Sequence, residues 1–196
     1  AKKHGSELES EAQNLEHAEP VLRSCQRRCL QACAAGARII EMACGTGKTR
    51  VMQELAKMCK GKVLIVVPSR VLLRQFMPLF PEFCPVGTGY NKRIVRDARG
   101  FISVDDSVHL LSNINFTDIY IDEAHHPMPQ GCSSGQNIFK FSATHTSKPD
   151  FQYRIDEGIE DGVLRDYDLE VPIFHASADR FKSLAVMLAN HSGHYR

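Results

Sequence analysis

The chain of 196 residues has little net charge and no long hydrophobic run. The formal charge is +1, so no global basic field favours nucleic acid as a partner and none argues against it, although a groove could be locally basic. No apolar run approaches about 18 residues, and no secretory signal opens the chain. We therefore expect an intracellular protein, nuclear or cytoplasmic, without a membrane partner. Its start at Ala1 suggests a fragment or a processed chain.

The sequence also lacks the spacing of a metal site among its seven cysteines. Cys25, Cys29 and Cys33 fall four residues apart, as on one stripe of a helix, and no histidine pair completes a zinc site. We expect reduced cysteines that pack in the interior. Hydrophobic residues make up 43% of the chain and charged residues 24%, which is typical of a globular domain with its own core.

Strand and helix patterns alternate through the middle of the chain. Short apolar runs predict five strands, at residues 38–42, 63–67, 101–104, 119–121 and 138–141. Helix-forming residues predict four helices, at residues 21–35, 50–59, 70–76 and 108–112. Loops with one short strand or helix are expected in 77–100, a strand in 163–174 and a helix at 178–189. The alternation predicts an α/β fold, with a mostly parallel sheet, helices on both faces and ligands at the carboxyl ends of the strands.

The stretch EMACGTGKTR, residues 41–50, follows a predicted strand and opens a predicted helix. Gly45 and Gly47 let the backbone curl so that several N–H groups face one anion, and the N-terminus of the helix adds positive potential. Lys48 can reach the β- and γ-phosphates of a nucleotide, and the Thr49 hydroxyl can bind Mg²⁺. This pattern predicts nucleotide binding. The alternative is a glycine-rich turn with an incidental lysine.

Met42 stands where the general phosphate-loop pattern has glycine. This position ends the strand, before the tight turn. Its side chain can therefore point into the core, and we expect the loop to bind without glycine there.

The stretch IYIDEAHH places Asp122 and Glu123 just past another predicted strand. If that strand neighbours the strand of the glycine loop, both carboxylates reach the phosphates from the opposite side. Asp122 would then hold Mg²⁺ through water, and Glu123 would orient and deprotonate the attacking water. The alternative is the acidic first turn of a helix, where Asp and Glu are common.

These motifs together resemble the first motor domain of a superfamily 2 helicase or translocase. ACGTGKT at 43–49 resembles motif I of that family, in which alanine commonly precedes the shortened loop. DEAH at 122–125 resembles motif II, and SAT at 142–144 matches motif III. The resemblance covers about residues 20–175 and implies a RecA-like P-loop NTPase fold.

Three weaker stretches fit the same family. VVPSRVLLRQF at 66–76 is similar to motif Ia, where a turn touches the nucleic-acid backbone. LRSCQ at 22–26 is similar to the adenine-recognition segment, and ISVDDS at 102–107 loosely resembles a later motif that contacts the strand. A basic cluster of Lys92, Arg93, Arg96 and Arg99 either lines the nucleic-acid path or is a solvated charged face.

The resemblance implies roles for the residues of these motifs. ATP would be bound by Gln26, Ala43, Cys44, Gly45, Thr46, Gly47, Lys48 and Thr49, with Gln26 reading the adenine. The catalytic residues would be Lys48, Asp122 and Glu123, and Mg²⁺ would be held by Thr49 and, through water, Asp122. Coupling would involve His125, Ser142 and Thr144, which could otherwise be a packed histidine and two helix caps. Nucleic acid would contact Ser69, Arg70 and Ser107, of which the first two could otherwise be a helix cap and a surface arginine.

Within the superfamily, the loop and the acidic motif indicate one branch. ACGTGKT with DEAHH is more like the restriction-enzyme and excision-repair type than the RNA helicases named for the DEAH tetrad, which usually carry a GETGSGKT-like loop. DNA is therefore favoured over RNA. The predicted organisation is a disordered polar tail at 1–19, the ATP-binding domain at 20–175, and a linker or truncated start of a second motor domain at 176–196.

The family needs a second RecA-like domain, whose arginines reach the γ-phosphate across a cleft. We therefore expect nucleotide binding without efficient hydrolysis from this chain alone. Two alternatives are a small-molecule P-loop kinase, which predicts an arginine-rich lid and no SAT after a strand, and a non-hydrolysing module that binds nucleic acid or a partner. Intact Lys48, Thr49, Asp122 and Glu123 argue against a degenerate site.

Overall fold

The computed structural model describes residues 21–91, 94–125 and 136–166, and also residues 181, 182, 185 and 186. The chain divides into two compact units, residues 1–164 and residues 165–196. The sheet and its helices lie in the first unit, and the four residues described near the end of the second unit are helical. The boundaries predicted after residues 19 and 175 fall outside the described residues and stay predictions.

The described part of the first unit is built from alternating strands and helices. The strands are β1 (Ile39–Met42), β2 (Val63–Val67), β3 (Phe83–Val86), β4 (Gly100–Val104), β5 (Asp118–Ile121), β6 (Asn137–Ser142) and β7 (Phe151–Tyr153). The α-helices are α1 (Ser24–Ala34), α2 (Lys48–Met58), α3 (Arg70–Phe76) and α4 (Ile155–Glu160). A single turn of 3₁₀-helix covers Met77–Leu79, and a longer 3₁₀-helix covers Asp105–Leu111.

The seven strands form one sheet in the order β3-β4-β2-β5-β6-β1-β7, and every neighbouring pair is parallel. This confirms the predicted fold class. Parallel strands place their carboxyl ends on the same edge of the sheet, so the loops after β1, β5 and β6 gather there. That edge holds the glycine loop, the acidic pair and the SAT motif.

The burial of strand β2 shows that the sheet is covered on both faces. All five of its residues are buried. Alternate side chains point to opposite faces, so Val63, Ile65 and Val67 join the core under α1, α2 and α3, whereas Leu64 and Val66 join a second core with the 3₁₀-helix. Each fully buried side chain of this size contributes about 1.5–3 kcal/mol of apolar transfer free energy.

Two features predicted from the sequence are confirmed in helices α1 and α3. Cys25, Cys29 and Cys33 form the buried stripe of α1, and the six cysteines that the structure describes are free thiols. The Oγ of Ser69 accepts a hydrogen bond from the main-chain N–H of Leu72 at 3.2 Å, and so caps α3. The short helix expected at 108–112 is the 3₁₀-helix, which begins three residues earlier.

Strand β7 and helix α4 were not predicted from the sequence. Strand β7 has only three residues, too few for a period-2 pattern, and it exists because it pairs with β1 at the sheet edge. The strand predicted within 163–174 is not present at 163–166, and its other residues lie outside those described. Most of the predicted helix at 178–189 also lies outside them. In the described ranges, no helix is long and apolar enough to cross a membrane.

Candidate nucleotide-binding site

A loop with two left-handed glycines joins β1 to α2. Gly45 has a φ of 80° and Gly47 a φ of 94°. Thr46, between them, is fully buried, and its Oγ1 donates to the Ala43 carbonyl at 2.7 Å. Met42 is also fully buried, so the prediction that its side chain points into the core is confirmed. The tight turn therefore depends on the two later glycines.

Lys48 and Thr49 occupy the first turn of α2, directly after the loop. The Nζ of Lys48 donates to the Met42 carbonyl at 3.2 Å, which keeps the ammonium group beside the main chain of the loop. The N-terminus of α2 adds positive potential at the same place. The loop can therefore bind an anion with its main chain, a helix end and a lysine.

Gln26 lies against the loop from the side of α1. It is 5% exposed, and its Nε2 donates to the Thr46 carbonyl at 3.1 Å while its Oε1 accepts from the main-chain N–H of Arg23 at 3.0 Å. A Cβ added to Gly47 would lie 2.3 Å from Nε2. The amide keeps one N–H and one oxygen lone pair for a further partner.

A cleft of about 280 Å³ opens beside Gln26. It is lined by Val21, Arg23, Gln26, Gly45, Gly47 and Arg50. The Nη1 of Arg23 donates to the Gly45 carbonyl at 3.1 Å, which ties the N-terminal approach to α1 to the loop. The cleft lies next to the loop and can accept the base of a nucleotide whose phosphates lie on the loop.

Asp122 follows β5, and its main-chain N–H donates to the Val66 carbonyl at 2.9 Å. Burial, and after it the neighbouring charge of Glu123, raise the pKa of its carboxyl group to about 6. The charge of Lys48 acts in the opposite direction on the same pKa. The charge of Lys48 therefore favours the ionised form of Asp122.

Glu123 has a φ of 53°, and among the described residues it is the single non-glycine residue with a positive φ. The left-handed region costs a residue with a Cβ roughly 1–2 kcal/mol. Strain of this kind persists when surrounding contacts hold the residue, and it is common at active sites. Here the next residue is fixed by a hydrogen bond from the Ala124 N–H to the Phe141 carbonyl, at 2.9 Å.

The glycine loop and the acidic pair were predicted to meet on the condition that their strands are neighbours. In the structure β6 lies between β5 and β1, so the condition is not met. The two motifs still share the carboxyl edge of the sheet, because β5, β6 and β1 are parallel, and two strand spacings, about 10 Å, separate β5 from β1.

His125 connects the acidic motif to the SAT motif. Its Nδ1 lies 3.1 Å from the Ser142 Oγ and 3.3 Å from the Glu123 Oε2. The Ser142 hydroxyl donates its hydrogen to the Thr144 carbonyl at 2.7 Å, so it accepts from His125, whose Nδ1 then carries the hydrogen. Thr144 takes part in this network through its main-chain carbonyl and N–H. A coupling role for these residues stays a prediction.

The three residues expected to contact nucleic acid have different surroundings. Ser69 caps α3 and Arg70 is exposed. Ser107 is only 7% exposed, in the 3₁₀-helix. Their contact with nucleic acid stays a prediction.

Arg99, a member of the basic cluster, holds the far end of the helix that starts at Lys48. Its Nη2 donates to the carbonyls of Ala56, at 2.8 Å, and Cys59, at 3.1 Å. These carbonyls belong to the last turn of α2 and to the residue that follows it, where acceptors have no partner within the helix. Arg99 therefore stabilises α2, while Lys92 and Arg93 lie outside the described residues.

Four residues at the site carry no sequence signal, namely Glu41, His145, Gln152 and Leu164. Leu164 has its Cδ2 within 3.2 Å of a Cβ placed on Gly45, so its side chain covers the loop. Glu41 accepts from His145 and Gln152 across the end of the sheet. All these partners are more than 100 residues apart, and no local pattern could indicate them.

The oxygen groups at the site fit Mg²⁺ bound together with phosphate. In the described ranges, no group of three or more His, Cys, Asp or Glu residues could hold a metal ion. Mg²⁺ typically binds one or two protein oxygens and takes its other ligands from phosphates and water. The Thr49 hydroxyl and the Asp122 carboxylate, near the positive loop, suit such a shared site.

The fold and the glycine loop define a RecA-like P-loop domain, of the class that uses nucleotide. Residues 19–148 match the family model described as Type III restriction enzyme, res subunit. This match covers more than half of the chain, and the chain belongs to that family of superfamily 2 motor domains. None of the curated protein sequences compared with the chain matches it.

Three solved structures have a similar fold. A nuclease-deletion mutant of the Type ISP restriction-modification enzyme LlaGI, in complex with a DNA substrate mimic, is 18% identical with a TM-score of 0.56, over 74% of this chain and 21% of that chain. T4 UvsW is 16% identical with a TM-score of 0.54, over 75% and 33%. The Pyrococcus furiosus Hef helicase domain is 20% identical with a TM-score of 0.50, over 74% and 37%. The chain thus spans between 21% and 37% of these proteins, and the likeness shows the fold.

Proposed function

We propose that the chain is the ATP-binding first motor domain of an ATP-dependent nucleic-acid helicase or translocase. The observation that carries the proposal is that the glycine loop with Lys48 and the acidic pair Asp122 and Glu123 follow strands β1 and β5 at the same edge of one parallel sheet. Phosphoryl transfer requires a cationic phosphate cradle and acidic groups that face the same phosphates. Both are present at one edge of the sheet, although their strands are not neighbours.

ATP would bind with its base in the cleft beside Gln26 and its phosphates on the loop. The N–H groups of the loop would bind phosphate oxygens, which is why Gly45 and Gly47 must adopt left-handed conformations there. Lys48 would exchange the Met42 carbonyl for oxygens of the β- and γ-phosphates. Each of these contacts is charge-assisted and therefore stronger than a neutral hydrogen bond.

The acidic motif would supply the chemistry of hydrolysis. Mg²⁺, held by Thr49 and through water by Asp122, would neutralise charge on the phosphate oxygens. Glu123 would orient the attacking water and accept its proton. The contact of Glu123 with His125, and of His125 with Ser142, would fix the carboxylate and connect it to the SAT motif.

We also propose that DNA is the nucleic acid and that a second motor domain is required for efficient hydrolysis. The combination of ACGTGKT with DEAHH supports DNA, and the similar fold of LlaGI was solved with a DNA substrate mimic. Ser69, Arg70 and Ser107 would meet the phosphate backbone, with Arg70 the exposed member. Arginines from a second domain would stabilise the transition state, a contribution of about 10³–10⁵ in rate in comparable systems.

The proposal is tested by ATP hydrolysis of the purified chain, with and without single-stranded DNA or RNA of the same length. Wild type should bind ATP and hydrolyse it slowly, Glu123→Gln should bind ATP with less hydrolysis, and DNA should bind more tightly than RNA. Glu160→Gln, on an exposed carboxylate, serves as the matched control. Fast hydrolysis stimulated by DNA would contradict the need for a second domain, and equal or tighter RNA binding would contradict the DNA assignment.

A further inference from the structure

The Glu41 carboxylate lies at the carboxyl end of β1 and joins three segments of the chain. Its Oε2 accepts a hydrogen bond from the main-chain N–H of His145, in the turn after β6, at 2.9 Å. Its Oε1 accepts from the Nε2 of Gln152, on β7, at 2.6 Å. The register explains this geometry, because Glu41 pairs with Ser142 on one side and with Gln152 on the other.

His145 makes a second hydrogen bond to the same strand. Its Nε2 lies 3.0 Å from the Ile40 carbonyl. A carbonyl oxygen only accepts, so Nε2 carries the hydrogen and donates it. One residue of the turn is thus held by two consecutive residues of β1, through its main chain and through its ring.

These contacts lie between the two halves of the candidate site. On one side, Met42 follows Glu41 directly, and its carbonyl accepts from Lys48. On the other side, His145 lies in the turn after β6, three residues beyond Ser142, whose Oγ contacts His125. The pair of Glu41 and His145 is therefore the polar connection from the acidic motif, across β6, to the strand that carries the phosphate loop.

We propose that Glu41 and His145 are positioning residues that keep the phosphate loop in register with the turn after β6, and so with Glu123 and His125. This rests on the proposed function. A γ-phosphate would lie between the loop and the acidic pair, whereas the α- and β-phosphates would contact the loop alone. The positioning contacts therefore favour ATP over ADP.

The test measures the dissociation constants of fluorescent ATP and ADP analogues with the purified chain, together with the thermal unfolding midpoint. The variants are Glu41→Gln, which is isosteric but leaves one donor without a carboxylate oxygen, His145→Ala, which removes the ring donor, and His145→Gln, which can keep a donor at the Nε2 position. Glu160→Gln and His109→Ala, both on exposed residues, are the matched controls. Glu41→Gln keeps the test available even if His145→Ala does not fold.

Glu41→Gln and His145→Ala should weaken ATP binding by about 2- to 10-fold, the equivalent of one net hydrogen bond, and ADP binding by less. His145→Gln should recover most of the loss. Equal losses for ATP and ADP that follow a lower unfolding midpoint would mean a structural role only and would overturn the inference, as would unchanged binding. Failure of the wild-type chain to bind either nucleotide would instead refute the proposed function, and this role with it.

Discussion

The side-chain amide of Gln26 donates to the main-chain carbonyl of Thr46, so that α1 is bonded to the interior of the phosphate loop. The contact is 3.1 Å long and buried. It places the first turn of α1 beside the cleft in which a nucleotide base would lie. The loop and the segment that contains Gln26 are therefore bonded to each other, and a change at their contact should affect both.

Gly47→Ala should disturb that contact directly. The new Cβ would lie 2.3 Å from the Gln26 Nε2, in a backbone conformation that residues with a Cβ rarely adopt. We expect a loss of stability of about 1–3 kcal/mol and loss of ATP binding. Denaturant unfolding and ATP titration check this.

Gly89→Ala is the matched control for that change. Gly89 has a φ of 97°, close to that of Gly47, and a Cβ there meets nothing within 4 Å. It should cost backbone strain of about 1 kcal/mol and leave ATP binding unchanged. Equal effects of the two variants on ATP binding would show that the contact with Gln26 does not matter.

Asp122→Asn should stabilise the nucleotide-free protein at neutral pH. The folded-state pKa of Asp122 is raised to about 6 from an ordinary value of 3.8, so the folded protein binds the proton more tightly than the unfolded chain. Stability therefore falls as pH rises between about 4 and 6, and the full cost is present above pH 6. We expect a gain of about 1–2 kcal/mol at pH 7.5, after allowance for solvent screening, and little gain near pH 4.

Asp150→Asn is the opposite control in the same unfolding series. The main-chain N–H groups of Arg38 and Ile39 donate to Asp150, and they hold the pKa of its carboxyl group below the ordinary value. The stability from this group is present above the unfolded-state pKa and is lost as pH falls through the folded-state pKa. Asp150→Asn should therefore destabilise the protein at neutral pH. The account of Asp122 fails if both variants shift stability in the same direction.

Arg99→Ala should destabilise the protein without changing nucleotide affinity by much. The guanidinium satisfies carbonyls at the end of α2, and its removal leaves them without that partner. A cost of about 1–2 kcal/mol is expected. Arg96→Ala, on an exposed side chain of the same basic cluster, should change stability by no more than about 0.5 kcal/mol. If the two variants unfold indistinguishably, Arg99 does not stabilise α2 and belongs instead to a solvated charged face.

Met42→Gly would restore the general phosphate-loop pattern and should nonetheless harm the protein. Met42 is fully buried in the core under α1 and α2. Removing a buried side chain of this size costs about 2–5 kcal/mol. Met42→Leu, which conserves volume, should cost less than about 1.5 kcal/mol. Tighter ATP binding by Met42→Gly, measured under conditions where it is folded, would mean that the loop does need glycine at that position.

The sequence predicted those parts of the site that are local in the chain. A strand, two glycines, a lysine and a helix start within ten residues make a phosphate loop wherever the sheet order places them. The acidic pair and SAT could likewise be assigned to strand ends. The strand order β5-β6-β1 could not be predicted, because it depends on which strands pair with each other across long separations in the chain.

The same distinction explains the contacts that were missed. Glu41 and His145 are 104 residues apart and read individually as ordinary polar residues. Leu164 covers Gly45 only because the chain returns to the sheet through β7 and α4, and β7 is too short to leave a pattern. The left-handed conformation of Glu123 could not be predicted either, because contacts with neighbouring residues hold it there against the usual backbone preference of glutamate.

The most direct test of the account is calorimetric titration of ATP with Mg²⁺ into the wild-type chain, Lys48→Ala and the control Lys60→Ala. In the proposed site Lys48 would supply a charge-assisted contact to phosphate, and its loss should weaken binding by about 10- to 100-fold. Lys60 is exposed just beyond the end of α2, and its variant should bind like wild type. Saturable binding by wild type and Lys60→Ala that Lys48→Ala loses is the predicted result. Binding that Lys48→Ala retains in full, or no binding by wild type, would contradict a nucleotide site at this loop.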